Sequence, residues 1–142
     1  MSEVNIEPLF DVLIKPRWAD QDSMGHINHV QYFRYLEEAR VEWLEQAGFG
    51  MGGGADEFGL IMAAVGLNFR REWHHPGLLR GKAWVMRIGN SSFSLKQSLY
   101  SEDGNELVAD GESTLVCVNR EHRPIPLPES ARDHLQAHLL AP

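Results

Sequence analysis

Apolar and polar positions alternate along residues 9–15 (LFDVLIK), which puts Phe10, Val12 and Ile14 on one side, as a half-buried strand requires. Pro16 ends that run. From about Val30 to Ala47 the period changes: Val30, Phe33, Leu36, Ala39, Trp43, Leu44 and Ala47 recur at three- and four-residue spacing, the apolar stripe of a helix. Arg34, Glu37, Glu38, Glu42 and Glu45 occupy the other face. Asn28 is a favoured N-cap, with Gln31 as a capping-box partner, and Gly48 marks the helix end. The GFGMGGGADEFG stretch that follows reads as a loop with a short helical turn near Asp56, and it lacks the Lys-Ser/Thr ending of a phosphate-binding P-loop.

From Leu60 onward the pattern is that of strands: LIMAAVGLNFRREW, KAWVMRI, SFSLKQSLY and ELVADGESTLVCV, separated by HHPGLLRG, GNS and SEDGN, which supply turn residues. Short connections favour antiparallel neighbours, so these four strands are expected to form a meander. RPIPLP reads as an extended linker and ESARDHLQAHLL as a short helix that packs on the surface or on a partner chain. One long helix and about five antiparallel strands predict a single α+β domain over residues 1–142, with the sheet wrapped around the helix.

Composition narrows the function. At 142 residues and 43% hydrophobic the chain can bury a core, and its net charge of −7 argues against general nucleic-acid binding. That average hides a contrast. Arg70, Arg71, Arg80, Lys82, Arg87 and Lys96 face Glu72 alone within one window, a local +5 against −12 for the remainder. The N-terminus has no secretory pattern, no apolar run reaches membrane-spanning length, and the lone Cys117 sits in an apolar run as a structural thiol. A soluble cytoplasmic protein is the expectation.

The densest polar cluster, Ala19 to His29, lies between the first strand and the helix. The first amides of a helix lack internal partners and carry the positive end of its dipole, so they can polarise a carbonyl. A carboxylate just upstream can attack that carbonyl or deprotonate a water, and Gly25 lets the chain turn tightly between the two. The same residues also read as turn formers with Asn28 a simple cap. A metal site built from Asp22, His26 and His29 with His74 or His75 lacks the fuller spacing of known signatures, and no metal is expected.

The segment from Arg17 to Trp43, RWADQDSMGHINHVQYFRYLEEARVEW, resembles the 4-hydroxybenzoyl-CoA thioesterase-like branch of the hotdog-fold acyl-CoA thioesterases, with its Asp-x-Asp-x-x-Gly-x-x motif before a helix rich in Tyr, Phe and Glu. The likeness continues through Phe69 to Gly81, Gly89 to Phe93, Val116 to Val118 and Pro124 to Pro128. It implies hydrolysis of an acyl-CoA thioester to free acid and coenzyme A, with no cofactor beyond the coenzyme A of the substrate. Asp22 is implied as nucleophile or general base, and His29 as the helix-start residue whose backbone N–H meets the thioester oxygen. Gly25, Asn28, Val30 and Tyr32 are the implied substrate-binding neighbours. Asp20 reads as a loop-ordering residue and His26 as a supporting or surface group. Arg87, Asn90, Ser91 and Ser92 are the implied coenzyme A contacts, in a turn whose amides and hydroxyls can hold phosphate. Relatives of this kind pair protomers, which implies a homodimer or a dimer of dimers. The rivals are an acyl-thioester dehydratase or hydratase, whose His-Phe-Pro type loop is absent here, and a non-catalytic acyl-CoA-binding or adaptor module.

Overall fold

The computed structural model describes residues 6–47 and 59–140. The expected helix end at Gly48 and the turn near Asp56 lie outside the described residues. The elements run β1 (Phe10–Ile14), α1 (His29–Gln46), β2 (Gly59–Phe69), β3 (Leu79–Ile88), β4 (Ser92–Ser101), β5 (Leu107–Val118) and α2 (Glu129–Gln136), with a 3₁₀ turn at Trp18–Asp20. All five strands join one antiparallel sheet in the order β1-β3-β4-β5-β2, and α1 packs across its inner face against β1, β3 and β4. This is the α+β hotdog arrangement expected.

β1 keeps the predicted alternation, with Phe10 buried and Val12 and Ile14 half-buried. The meander holds only for β3, β4 and β5. β2 does not pair with β3; it crosses to the far edge and pairs with β5, from Gly59 opposite Val118 to Phe69 opposite Ala109. Short linkers fix antiparallel direction but not adjacency, and residues 70–78 are long enough to round the end of the sheet. That passage is pinned midway, where the Ile27 N–H donates to the Trp73 carbonyl at 2.7 Å.

The buried stripe of α1 is rotated from the one expected. Tyr32, Tyr35, Leu36, Ala39, Arg40, Trp43 and Leu44 face inward, while Val30 is 53% exposed. The tyrosine rings bury because their hydroxyls find partners, Tyr32 on the Arg71 carbonyl at 3.3 Å and Tyr35 on Asp20 at 2.6 Å. Arg40 separates two apolar clusters: its guanidinium reaches Gln97 Oε1 at 3.5 Å, and Ser113 donates to the same oxygen at 3.3 Å. Burial lowers the pKa of the Arg40 guanidinium from its ordinary value.

The tail packs on its own chain. Ala131 and Leu135 of α2 enter the larger cluster, and the Trp43 indole N–H donates to His134 Nε2 at 3.2 Å. The helix is shorter than expected, since beyond Ala137 the chain extends and the Leu140 N–H donates to the Val85 carbonyl at 2.8 Å. Cys117 is fully buried and burial raises its thiol pKa, in keeping with a structural thiol.

At Gly111 of β5 an added Cβ would collide with the carbonyl of Gly66 on β2. Neither backbone can yield without breaking the ladder. Gly111→Ala is expected to cost about 1–3 kcal/mol, lowering Tm by roughly 5–10 °C in thermal denaturation followed by circular dichroism.

Candidate active site

The site begins with a carboxylate that is not available for chemistry. Asp20 is only 2% exposed. Its Oδ2 accepts from the Arg17 backbone N–H at 3.0 Å and the Tyr35 hydroxyl at 2.6 Å, and its Oδ1 from the Arg17 guanidinium at 2.9 and 3.1 Å. Its own carbonyl accepts the Asn28 N–H at 3.0 Å, so this residue ties the 3₁₀ turn to the start of α1. Burial pushes the Asp20 carboxyl up, but the Tyr35 and Arg17 hydrogen bonds together outweigh it and hold the carboxyl below its ordinary 3.8. Burial first, then the hydrogen bond to Asp20, raises the Tyr35 phenol. Asp20 is therefore the loop-ordering residue expected.

Asp22 is built differently. Its N–H donates to the His26 carbonyl at 2.8 Å and its carbonyl accepts the Gly25 N–H at 3.0 Å, closing a tight turn in which Gly25 takes φ +80°. Its exposed Oδ1 accepts from the Met24 N–H at 3.0 Å and more loosely from the His26 N–H at 3.4 Å. Oδ2 has no partner among the described residues. An L side chain at residue 25 would strain the turn that aims this carboxylate.

Asn28 caps α1, its Oδ1 accepting from the Val30 N–H at 3.0 Å. Gln31 does not complete a capping box, since its Oε1 is buried without a hydrogen-bond partner among the described residues; its N–H serves the Asn28 carbonyl instead at 2.9 Å. The His29 N–H is left without a partner among the described residues. It is the first amide of α1, at the positive end of the dipole. The His29 ring rests edge-on against Phe69, with centroids 5.3 Å apart.

These residues open on a cleft of about 310 Å³ lined by Asp22, His26, Ile27, His29, Tyr32, Phe69, Arg70, Arg71 and Glu72. Of the expected residues, Asp22, His29 and Tyr32 line it together. Gly25 and Asn28 shape the loop around it, and Val30 lies exposed one residue further along α1. A larger groove of about 580 Å³ between β1 and α1 contains none of the expected site residues.

Arg87, Asn90, Ser91 and Ser92 are not brought to this cleft within the protomer. Ser92 lies opposite Val116, and Val116 opposite Ile61, whereas the cleft adjoins Phe69 at the other end of β2. Eight strand residues separate those ends, about 26 Å. The turn is well formed: Gly89 N–H donates to the Ser92 carbonyl at 2.7 Å, and the Arg132 guanidinium donates to the carbonyls of Gly89 and Asn90 at 3.0 and 3.1 Å. Arg87 is exposed and donates to Ser94 Oγ at 3.0 Å.

The basic window is not an open patch. Arg70 pairs with Asp110 at 2.9 Å, Arg71 with Glu106 at 3.6 Å, and Arg80 with Asp11 at 2.7 Å. Lys82 shares Asp11 at 3.9 Å, and Lys96 stands opposite Glu112 in the β4–β5 register. Sequence reasoning left Phe69, Arg70, Arg71 and Glu72 out of the site because they lie some forty residues from the motif. Their signal was the aromatic-Arg-Arg-acid run at the end of a strand.

The family model of the thioesterase-like superfamily matches residues 16–137, and the chain belongs to that superfamily. It is thus a hotdog-fold thioesterase, a thioester hydrolase by class. It is 27% identical over 124 residues to the long-chain acyl-CoA thioesterase FadM of Escherichia coli, covering 87% of this chain and 94% of that protein. Identity to the 1,4-dihydroxy-2-naphthoyl-CoA hydrolase of Thermosynechococcus vestitus is 27% over 129 residues, 89% of this chain and 88% of that one. Among solved structures, the PA2801 protein of Pseudomonas aeruginosa superposes with a TM-score of 0.82 at 32% identity, over 89% of this chain and 98% of its own.

The depressed Asp20 carboxyl sets a pH dependence. Its contribution to stability is complete above its ordinary 3.8 and is lost as pH falls below that value through the lower native one. Asp20→Asn is expected to lower stability at neutral pH and to flatten the loss between pH ~5 and pH ~2, measured by urea denaturation across that range.

Proposed function

We propose that this thioesterase hydrolyses acyl-CoA, releasing a free carboxylic acid and coenzyme A, with Asp22 as the reacting carboxylate. The observation that carries this is the pairing of two unengaged groups on one cleft: Asp22 Oδ2 and the His29 N–H. The thioester carbonyl oxygen accepts from the His29 amide, whose dipole stabilises the charge that develops there. Asp22 either attacks the carbonyl carbon, expelling the coenzyme A thiolate and leaving an anhydride that water cleaves, or takes a proton from the water that attacks it. Gly25 and Asn28 fix the carboxylate and the amide relative to each other. Tyr32 and Phe69 supply apolar wall, with Val30 at the rim. No metal ion or organic cofactor takes part in the hydrolysis, and coenzyme A enters only as part of the substrate.

The phosphate end of the substrate calls on a second copy of the chain. β2 is an edge strand whose Ile61, Val65 and Phe69 are 43%, 46% and 46% exposed. Apolar edges of this kind pair with other strands. If two β2 strands pair antiparallel about a twofold axis, the Gly59 end of one lies beside the Phe69 end of the other. The partner's turn at 89–92 then comes to the end of the sheet that holds the cleft, and Arg87, Asn90, Ser91 and Ser92 hold the coenzyme A. A homodimer, or a dimer of such dimers, is the working unit. The acidic balance argues against nucleic acid as a partner, and no helix among the described residues is long and apolar enough to cross a membrane.

Thiol release from a panel of aryl and aliphatic acyl-CoA esters tests this reading. Asp22→Asn is expected to lower kcat by about 100-fold or more with little change in KM; a kcat within a few-fold of wild type overturns it. Val65→Glu is expected to shift the sedimenting species toward monomer and abolish hydrolysis, while leaving far-ultraviolet circular dichroism intact.

A further inference from the structure

The turn that aims Asp22 also holds His26, and the chain leaving β2 holds Glu72 and His74 across from it. A donor atom from each of these three side chains lies within 4.8 Å of the other two. His26 Nε2 is 3.2 Å from Glu72 Oε2, and the two imidazoles stand edge to face with centroids 4.9 Å apart. His74 Nδ1 lies 3.0 Å from the Gly25 carbonyl. With Nδ1–H donating there, His74 Nε2 keeps its lone pair, the carbonyl-anchored state in which ligating histidines are held. Neither Asp22 nor His29 belongs to this group.

We propose that His26, Glu72 and His74 form a binding site for a divalent transition-metal ion of the zinc class. Two imidazoles and one carboxylate suit zinc or nickel and disfavour magnesium or calcium, which take oxygen ligands. Donors around a tetrahedral zinc ion lie about 3.4 Å apart, so the His26–Glu72 pair at 3.2 Å already fits, and a closure of up to about 1.4 Å by the widest pair of the three completes the set. Glu72, whose side chain is 68% exposed, and the exposed His74 are free to make it. Water fills the remaining position. The ion clamps the 22–26 turn to the segment after β2, beside the existing tie between Ile27 and Trp73 at 2.7 Å. It is a structural clamp on the wall of the cleft, separate from the hydrolytic groups, and it departs from the metal-free expectation drawn from sequence.

The test is titration of untagged, EDTA-treated protein with zinc chloride, followed by calorimetry and by thermal denaturation. The expected result is saturable uptake of one ion per chain and a rise in Tm that EDTA reverses, with no response to magnesium chloride. His74→Gln and Glu72→Gln, both at exposed positions, are each expected to weaken binding by at least about 10-fold while retaining the metal-free Tm. His122→Asn, at an exposed histidine with φ +61° outside the cluster, is expected to bind as wild type. Absence of saturable zinc binding overturns the proposal, as does binding that survives in both cluster variants. Because the readout is ion uptake and melting, it stands or falls apart from thioester hydrolysis.

Discussion

The buried carboxylate of Asp20 is the interaction on which the site depends. It takes four hydrogen bonds from Arg17 and Tyr35, while its carbonyl takes the Asn28 amide. A carboxylate taken out of water is tolerated only when its acceptors are filled and a cation stands close. Meeting those demands draws the 3₁₀ turn, the second turn of α1 and the helix cap to one point. The neighbouring aspartate is then left outside, at the surface of the cleft, with one oxygen unspent. Two like residues two positions apart have opposite fates because one of them satisfies the fold.

The second constraint is the sheet's edge. Where β5 takes β2, Gly111 leaves room for the Gly66 backbone, and in taking that place β2 presents its other side to solvent. The chain then crosses from Phe69 to Leu79 past the start of α1. That crossing brings Phe69, Arg70, Arg71 and Glu72 to the Asp22 turn. The wall of the cleft is thus a by-product of strand order, which explains why a motif on one side of α1 needs residues from the far side of the sheet.

Much of this was legible in the sequence, for physical reasons that differ by element. The long helix, its Asn28 cap and the strand at 10–14 follow from periodicity and cap chemistry, which are local. Strand order was not legible past β3, β4 and β5, because turn residues encode direction and not the partner of an edge strand. The inward face of α1 was misplaced toward Val30 because tyrosine and arginine count as polar until their partners are known; Tyr32, Tyr35 and Arg40 are buried on the strength of contacts with residues far along the chain. Asp22 stood out beside a helix start, and the structure places it on the cleft together with His29. The basic window was real as a count, yet its charges are distributed among acidic neighbours from other strands.

Arg132 joins the tail to the turn between β3 and β4. Its guanidinium spans two carbonyls of that turn, and the Leu127 N–H donates to the Asn90 carbonyl at 2.9 Å. Residues 127–132 are therefore a buttress for a loop that precedes them by some forty positions. A change that displaces Arg132 or Leu127 is felt at the Gly89 and Asn90 carbonyls.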